Sequence, residues 1–494
     1  MPATITCRGL QCAFPTGERP ALQEVALSLP AGTIVLLVGR SGAGKSTLLH
    51  ALAGLLADDV AITRQGAIDI AGHDPQSLPA ARRAALVGLV QQSPDTQICT
   101  TTVEAEVAFG LENLGIDAKE INHRIDEALR LVGMRELRYR HVTELSGGQR
   151  QRLVLAAVLA MRPQVLLLDE PLSQLDPAAA SQFLAAIDRL PSDGPTIIVA
   201  EHRTAPWIEH ADRLILLEAG QVAADLGGDD FAAWDAAIQS LKAQEAPARV
   251  AAKQTSSASV EIERLRFAFG PRRPLVLDEL TFAAHAGERI ALLGANGSGK
   301  STLLALLAGL HKPSAGELRF ADAKSSPGVG LVRQNPDTLL LCRTVWDELA
   351  FAPRCAGCTS REVETRVRDA AARFRLEALL DRSPLLLSQG ERLRVAVGAT
   401  FTLHAPLLLL DEPTTGQDPL HEAQLMRTLT EAVRAGGPPE CVMFSTHDLH
   451  VARTYADRVI VLDGGRVMAD GEPEAAIEAY DALLRDRLAR GREL

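Results

Sequence analysis

Residues 39–47 read GRSGAGKST, and residues 294–302 read GANGSGKST. Both satisfy the spacing G-x-x-x-x-G-K-[ST], and each follows a short apolar run, Ile34–Val38 and Ile290–Leu293. A strand, a glycine loop and then a helix is the context this motif needs. The glycines let backbone N–H groups turn inward around phosphate oxygens, and the following helix points its positive end at the same anion. The candidate phosphate cradle is therefore Gly39, Ser41, Gly42, Gly44, Lys45, Ser46 and Thr47 in one loop. In the other it is Gly294, Asn296, Gly297, Gly299, Lys300, Ser301 and Thr302. Lys45 and Lys300 are placed to reach β- and γ-phosphates, and the hydroxyls of Ser46 and Ser301 to ligate Mg²⁺.

Working outward from the loops, the second half of the chain repeats the order of the first. Lys45 and Lys300 stand 255 residues apart. Gln92 and Gln334, Gly148 and Gly390, and Asp169 and Asp411 each stand 242 apart; His202 and His447 stand 245 apart. A unit this long in direct order is a duplicated domain, not a solenoid repeat. The expected division is a first domain over 1–243, a linker over 244–258 and a second domain over 259–494. The linker, QEAPARVAAKQTSSA, is rich in Ala, Ser and polar residues and reads as a tether short enough to make pairing of the halves intramolecular. Within each half, apolar strands alternate with helical patterns. The expected fold is α/β: two tandem P-loop domains, each a mostly parallel sheet core with a helical subdomain. Val165–Leu168 and Leu407–Leu410 are continuous apolar runs, as strands covered on both faces require. Ile121, Ile125, Leu129 and Val132 mark one face of a helix in the insert between Gln92 and Ser146. Thr359 and Glu362 form the T-x-x-E box that starts the matching helix.

Each of the apolar runs before Asp169 and Asp411 ends in DEP. A carboxylate at the C-terminal end of a parallel strand beside a P-loop can hold Mg²⁺. The next residue, Glu170 or Glu412, then lies where it can orient or deprotonate an attacking water. His202 and His447 each follow a strand at the same place in both copies, which favours a contact to a γ-phosphate over a structural histidine. Gln92 and Gln334 follow apolar strands and are candidates for the same metal site, though loop glutamines are common. LSGGQRQR (145–152) precedes a helix; Ser146, Gly147 and Gly148 present a second anion-binding helix start. The second copy, LSQGERLR (387–394), keeps Ser388 and Gly390 but has Gln389 in place of Gly147. Phe14 and Phe269, ahead of the P-loops, read either as adenine-stacking rings or as core aromatics.

The 494 residues are 47% hydrophobic but only 4% aromatic, so the cores rest on Leu, Ala and Val. A net charge of −11 argues against bulk nucleic-acid binding. No signal-peptide pattern and no long apolar stretch is present, which implies a soluble or peripheral protein. Seven cysteines without framework spacing imply a reducing compartment, and Cys355 and Cys358 read as incidental thiols.

P-loop, glutamine, LSGGQ, DE and His, in this order and twice over, resemble the ATP-binding cassette family across nearly the whole chain. The resemblance implies ATP and Mg²⁺ as ligands, ATP hydrolysis as the activity, and two composite sites. One would join Lys45, Asp169, Glu170 and His202 to Ser388 and Gly390; the other would join Lys300, Asp411, Glu412 and His447 to Ser146, Gly147 and Gly148. SQLD (173–176) and TGQD (415–418) fall where that family has its D-loop. The departure at Gln389 implies that the two sites turn over at different rates.

VQQSPDTQICTTTVEAEVAFGLENLG and VRQNPDTLLLCRTVWDELAFAP resemble more narrowly the ATPases of energy-coupling factor importers. That resemblance implies a membrane-embedded coupling protein and a substrate-capture protein as partners, a peripheral position on the cytoplasmic face of the cell membrane, and a vitamin or transition-metal ion as cargo. Twin ATPases of simple-sugar importers are similar in length, but commonly have a degraded second P-loop. Soluble twin-cassette factors of the ribosome usually carry a long charged linker. Neither feature matches here.

Overall fold

The computed structural model describes residues 3–14, 19–40, 42–56, 62–173, 175–191, 193–202, 204–228, 233–234, 236–237, 258–270, 273–320, 328–414, 419–434 and 439–489. Two compact units result, with the main division between Glu245 and Ala246. The stretch read as a linker lies outside the described residues, except for Ala258, which opens the first strand of the second unit. Ser41, Gln174 and the TGQD segment also lie outside them.

Among the described residues the first unit contains nine strands: β1 (Ile5–Ala13), β2 (Leu22–Leu29), β3 (Ile34–Val38), β4 (Thr63–Ile70), β5 (Val87–Val90), β6 (Val165–Asp169), β7 (Thr196–Ala200), β8 (Arg213–Glu218) and β9 (Gln221–Gly227). Six of them form one sheet in the order β5-β6-β7-β3-β8-β9. All its pairs are parallel except β8 with β9. The four central strands β6, β7, β3 and β8 are almost wholly buried, as their apolar runs demand. Non-consecutive order arises because each parallel return needs a crossover, here made by helices Lys45–Leu52, Gly147–Ala160 and Pro177–Asp188.

A second sheet, antiparallel and three-stranded in the order β2-β1-β4, was not part of the sequence expectation. From Val25 to Leu29 β2 alternates between buried and exposed positions, its buried face covering the apolar helix Lys45–Leu52 in a shared core. The predicted helical insert is present as Val103–Asn113 and Ala118–Leu131. Ile125, Leu129 and Val132 are buried there, with Ile121 packed at the margin.

The second unit repeats this plan with β10 (Ala258–Phe267), β11 (Leu277–His285), β12 (Arg289–Leu293), β13 (Ala315–Phe320), β14 (Val329–Val332), β15 (Leu407–Leu410), β16 (Cys441–Thr446), β17 (Arg458–Asp463) and β18 (Arg466–Gly471). Its sheets are β14-β15-β16-β12-β17-β18 and β11-β10-β13. Thr359 and Glu362 form the expected reciprocal cap at the start of helix Ser360–Phe374. Among the described residues no helix is long and apolar enough to cross a membrane.

Candidate functional site

The register of the parallel sheet gathers the candidate residues at one edge. Asp169 ends β6 opposite Ala200 on β7, so Glu170 and His202 leave adjacent strand ends together. β3 lies on the other side of β7 and runs directly into Gly39. β5 leads to Gln92 beside β6. Ligands of open α/β sheets bind beyond these carboxyl ends. In the second unit Leu410 lies opposite Phe444, and Leu293 opposite Thr446, which brings Asp411, His447 and Gly294 to the corresponding edge.

Each P-loop has the backbone its glycines foretell. Gly44 and Gly299, the caps of helices Lys45–Leu52 and Lys300–Leu307, take φ values of 101° and 103°. That region is costly for any residue with a Cβ. An added Cβ at Gly44 would also lie 2.5 Å from the Ala21 carbonyl oxygen. The lysines are buried under their loops. Lys45 Nζ donates to the carbonyls of Gly39 and Arg40 at 2.8 and 3.2 Å, and Lys300 Nζ to those of Gly294 and Ala295 at 2.7 and 3.1 Å.

Around the first loop, Ser46 Oγ donates to Asp169 Oδ1 at 3.2 Å, and Gln92 Nε2 to Glu170 Oε2 at 2.7 Å. His202 Nε2 lies 3.1 Å from Glu170 Oε1 and 3.2 Å from Lys45 Nζ. Around the second, Ser301 Oγ donates to Asp411 Oδ1 at 2.9 Å; His447 Nδ1 lies 3.0 Å from Glu412 Oε2, and Lys300 Nζ 3.7 Å from Glu412 Oε1. Gln334 is exposed. Glu170 and Glu412 both adopt left-handed backbone, at φ 47° and 49°. Such strain costs roughly 1–2 kcal/mol and clusters where a side chain must be aimed.

Burial pushes the Asp169 carboxyl up to about 6, against the hydrogen bond from Ser46. The neighbouring Glu170 adds to the rise, while Lys45 and His202 oppose it. Burial also raises Asp411, here opposed by two hydroxyls, Ser445 and Ser301. A desolvated carboxylate beside a serine hydroxyl is an all-oxygen donor pair. It suits Mg²⁺, which takes one or two protein oxygens and fills the rest with water and substrate phosphate.

The signature segments also start helices. Ser146 caps Gly147–Ala160 and Ser388 caps Gln389–Phe401, each in a full capping box with Gln149 or Glu391. At Gly148 an added Cβ would meet Ala179 Cβ at 2.7 Å, so packing requires glycine there. At Gly147 it would meet nothing within 4 Å. Phe14 and Phe269 are 38% and 62% exposed, so neither is a core aromatic. Phe269 packs edge-on against Phe267 and His311.

Three features escaped the sequence reading. Glu106 is buried, and its Oε2 accepts from the Cys99 and Thr100 backbone N–H groups at 3.0 and 2.8 Å. Glu348 does the same for Leu341 and Cys342 at 2.8 and 2.7 Å. These two glutamates stand 242 residues apart, so the repeat itself carried the signal. Ser445 donates to Asp411 Oδ1 at 2.6 Å and accepts the Glu412 N–H at 2.8 Å, whereas the matching residue, Ala200, offers its carbonyl to the Glu170 N–H at 2.8 Å. Glu201, fully buried, accepts the N–H groups of His202 at 3.0 Å and Leu172 at 3.3 Å. All seven cysteines are free thiols.

The family described as ABC transporter matches residues 22–173 and 277–415. A candidate ABC transporter ATP-binding protein of Methanosarcina acetivorans is 31% identical over 98% of this chain and 87% of its own length. One from Streptomyces avermitilis is 35% identical over 93% of this chain and 92% of its own. A solved structure, cbiO1 from Clostridium perfringens, described as part of the ABC transporter complex cbiONQ, is 28% identical and covers 47% of this chain and 96% of its own, with a TM-score of 0.42. Two family matches that together span more than half the chain, each over a phosphate loop and its acidic strand end, establish that this chain belongs to the ABC transporter ATP-binding proteins, which are ATPases.

Proposed function

We propose that the chain is the ATP-hydrolysing subunit of an importer of the energy-coupling factor type, driving a membrane-embedded coupling protein that works with a substrate-capture protein. Under this reading the chain sits peripherally on the cytoplasmic face of the membrane, and the cargo is a vitamin or a transition-metal ion chosen by the partner.

The observation that carries the reading is a pair of exposed aromatics in the segment after each glutamine. Phe109 and Phe351, 242 residues apart, are 47% and 48% exposed on helices Val103–Asn113 and Val345–Cys355. The loop before each helix is held by a buried glutamate, Glu106 or Glu348. A rigid loop beside a repeated exposed ring is what a coupling helix of a partner needs to grip.

Under this reading the residues take the following roles. Lys45 and Lys300 neutralise β- and γ-phosphate charge, while the glycines of each loop donate backbone N–H groups. Glu170 or Glu412 takes the proton of the attacking water as its oxygen bonds to the γ-phosphorus and ADP departs. Gln92 Nε2 holds Glu170 in its aimed rotamer, and His202 or His447 donates to the γ-phosphate. Ser46, Gln92 and Asp169, and likewise Ser301, Gln334 and Asp411, would hold Mg²⁺, which when bound supplies charge neutralisation between the phosphates. Adenine stacks on Phe14 and Phe269. Each nucleotide is completed by the signature of the other half, Ser388 and Gly390 for the first and Ser146, Gly147 and Gly148 for the second. ATP then closes the pair and hydrolysis reopens it.

The test is affinity purification from gently solubilised native membranes, comparing wild type with F109D/F351D. Recovery of a polytopic protein and a small membrane protein by wild type alone is expected. Equal recovery by both, or ribosomal proteins in their place, overturns the proposal.

A further inference from the structure

We propose that the second cassette carries a binding cleft for a phosphate-bearing anion, distinct from its P-loop, formed by Arg373, Arg375, Arg394 and Arg427. The cleft has a volume of about 290 Å³ and lies where the end of helix Ser360–Phe374 meets helices Gln389–Phe401 and Pro419–Arg434. Thr428 and Glu431 also line it.

Four arginines line this space, and among the described residues the lining holds fewer carboxylates than arginines. Asp369 pairs with Arg373 at 2.8 Å, and among the described residues Glu431 is the one acidic residue in the lining. Arg373 is braced over the Phe401 ring, 5.6 Å from its centroid. Arg394 is half-buried at the base. Its Nη1 donates to the carbonyls of Phe374 and Arg375 at 3.2 and 3.4 Å, while its Nε is buried with no partner among the described residues. Burial, with Arg375 adding to it against Glu391, lowers the proton affinity of Arg394. An anion between the arginines relieves both costs.

The first cassette provides an internal comparison. At the matching positions it has Leu131, Gly133, Arg152 and Ala185, so three of the four arginines are absent. Arg189 stands where the second cassette has Glu431, and its Nη1 donates to the Leu131 carbonyl at 3.1 Å. Arg152 keeps the structural part of the role alone, donating to the Val132 carbonyl at 2.9 Å. The turn itself is the same in both: Gly133 has φ 68° and Arg375 φ 54°. Holding a left-handed arginine where glycine serves equally well costs stability, and helix termination does not require it. The planar guanidinium matches phosphate oxygens bidentately, which selects that chemistry over a halide.

Free phosphate and a phospholipid headgroup share this chemistry. The full chain, with both P-loops saturated by a non-hydrolysable ATP analogue and Mg²⁺, is titrated calorimetrically with inorganic phosphate. In parallel it is sedimented with phosphatidylcholine vesicles with and without phosphatidylglycerol. R375G, which keeps the turn geometry found at Gly133, and R427A are compared with wild type. Saturable phosphate binding at one further site per chain, weakened tenfold or more by either substitution, identifies the free anion as ligand. Substitution-sensitive binding to the anionic vesicles alone identifies the headgroup. Absence of both, or binding that survives both substitutions, overturns the proposal.

Discussion

The hydroxyl of Ser445 lies 2.6 Å from Oδ1 of Asp411, and the first cassette has Ala200 in its place. Ser445 also accepts the Glu412 N–H, so one hydroxyl joins the proposed metal ligand to the backbone of the proposed general base. S445A removes the hydroxyl bond to Asp411 and leaves the Glu412 N–H to the residue 445 carbonyl, the partner that Ala200 supplies to Glu170 in the first cassette. In an E170Q background, where turnover rests on the second cassette, S445A is expected to lower the ATPase rate about tenfold. Phosphate release measures it, and an unchanged rate removes Ser445 from the site.

The two general-base candidates are held differently. Glu170 receives Gln92 Nε2 at 2.7 Å, whereas Glu412 lies 3.7 Å from Lys300 Nζ and 3.0 Å from His447 Nδ1. E170Q and E412Q are expected each to remove a general base worth about 10²–10⁴ in rate at its own site. Steady-state ATPase assays of the two variants should show unequal residual activities. Equal losses count against asymmetric sites.

Gly147 and Gly148 separate packing from ligand contact. G148A drives a Cβ to 2.7 Å from Ala179 Cβ and is expected to cost roughly 1–3 kcal/mol in urea unfolding. G147Q points into open space within its unit and is expected to leave the unfolding midpoint unchanged while lowering ATPase activity. A fully active G147Q chain would show that the glycine is dispensable.

Glu106 accepts two backbone N–H groups and the Thr100 hydroxyl, at 3.0, 2.8 and 2.8 Å. E106A is expected to destabilise the first unit by about 2–3 kcal/mol, because hydrogen bonds to a buried charge are among the stronger kind. Hydrogen exchange at Cys99 and Thr100 should rise locally. Unaltered protection at those amides argues against the staple.

Glu201 uses one carboxylate oxygen for His202 N–H and the other for Leu172 N–H. In E201Q an amide NH₂ must face one of those donors. A fall of about 2–8 °C in the first-unit thermal midpoint is expected, the range following from one unpaired buried donor. E201T, which copies Thr446, tests whether the second cassette's solution transfers.

The parallel cores were legible because their strands are unbroken apolar runs, and the duplicated spacing carried the P-loops, acids and histidines. The antiparallel sheets were not, for a physical reason. The β1–β2 register slips twice, with an extra residue in β1 between Cys7 and Leu10 and one in β2 between Leu22 and Val25, so the buried residues of each strand lose the period of two that marks a half-covered strand. β10 slips likewise between Ile262 and Leu265 and between Leu265 and Phe267. Glu106 and Glu348 sit in polar helix starts, where a glutamate ordinarily faces water. Ser445 and Glu201 were missed because reading by repetition finds what two copies share, and these are places where they differ. Phe14 and Phe269 needed coordinates, since no local pattern separates an exposed ring from a buried one.

Gly147 and Gln389 stand at equivalent places on a single polypeptide. Two separately translated subunits could meet in any of three combinations, and their ratio would drift with expression. One reading frame removes that freedom: every molecule leaves the ribosome with one loop of each kind, and the inequality is inherited as a unit.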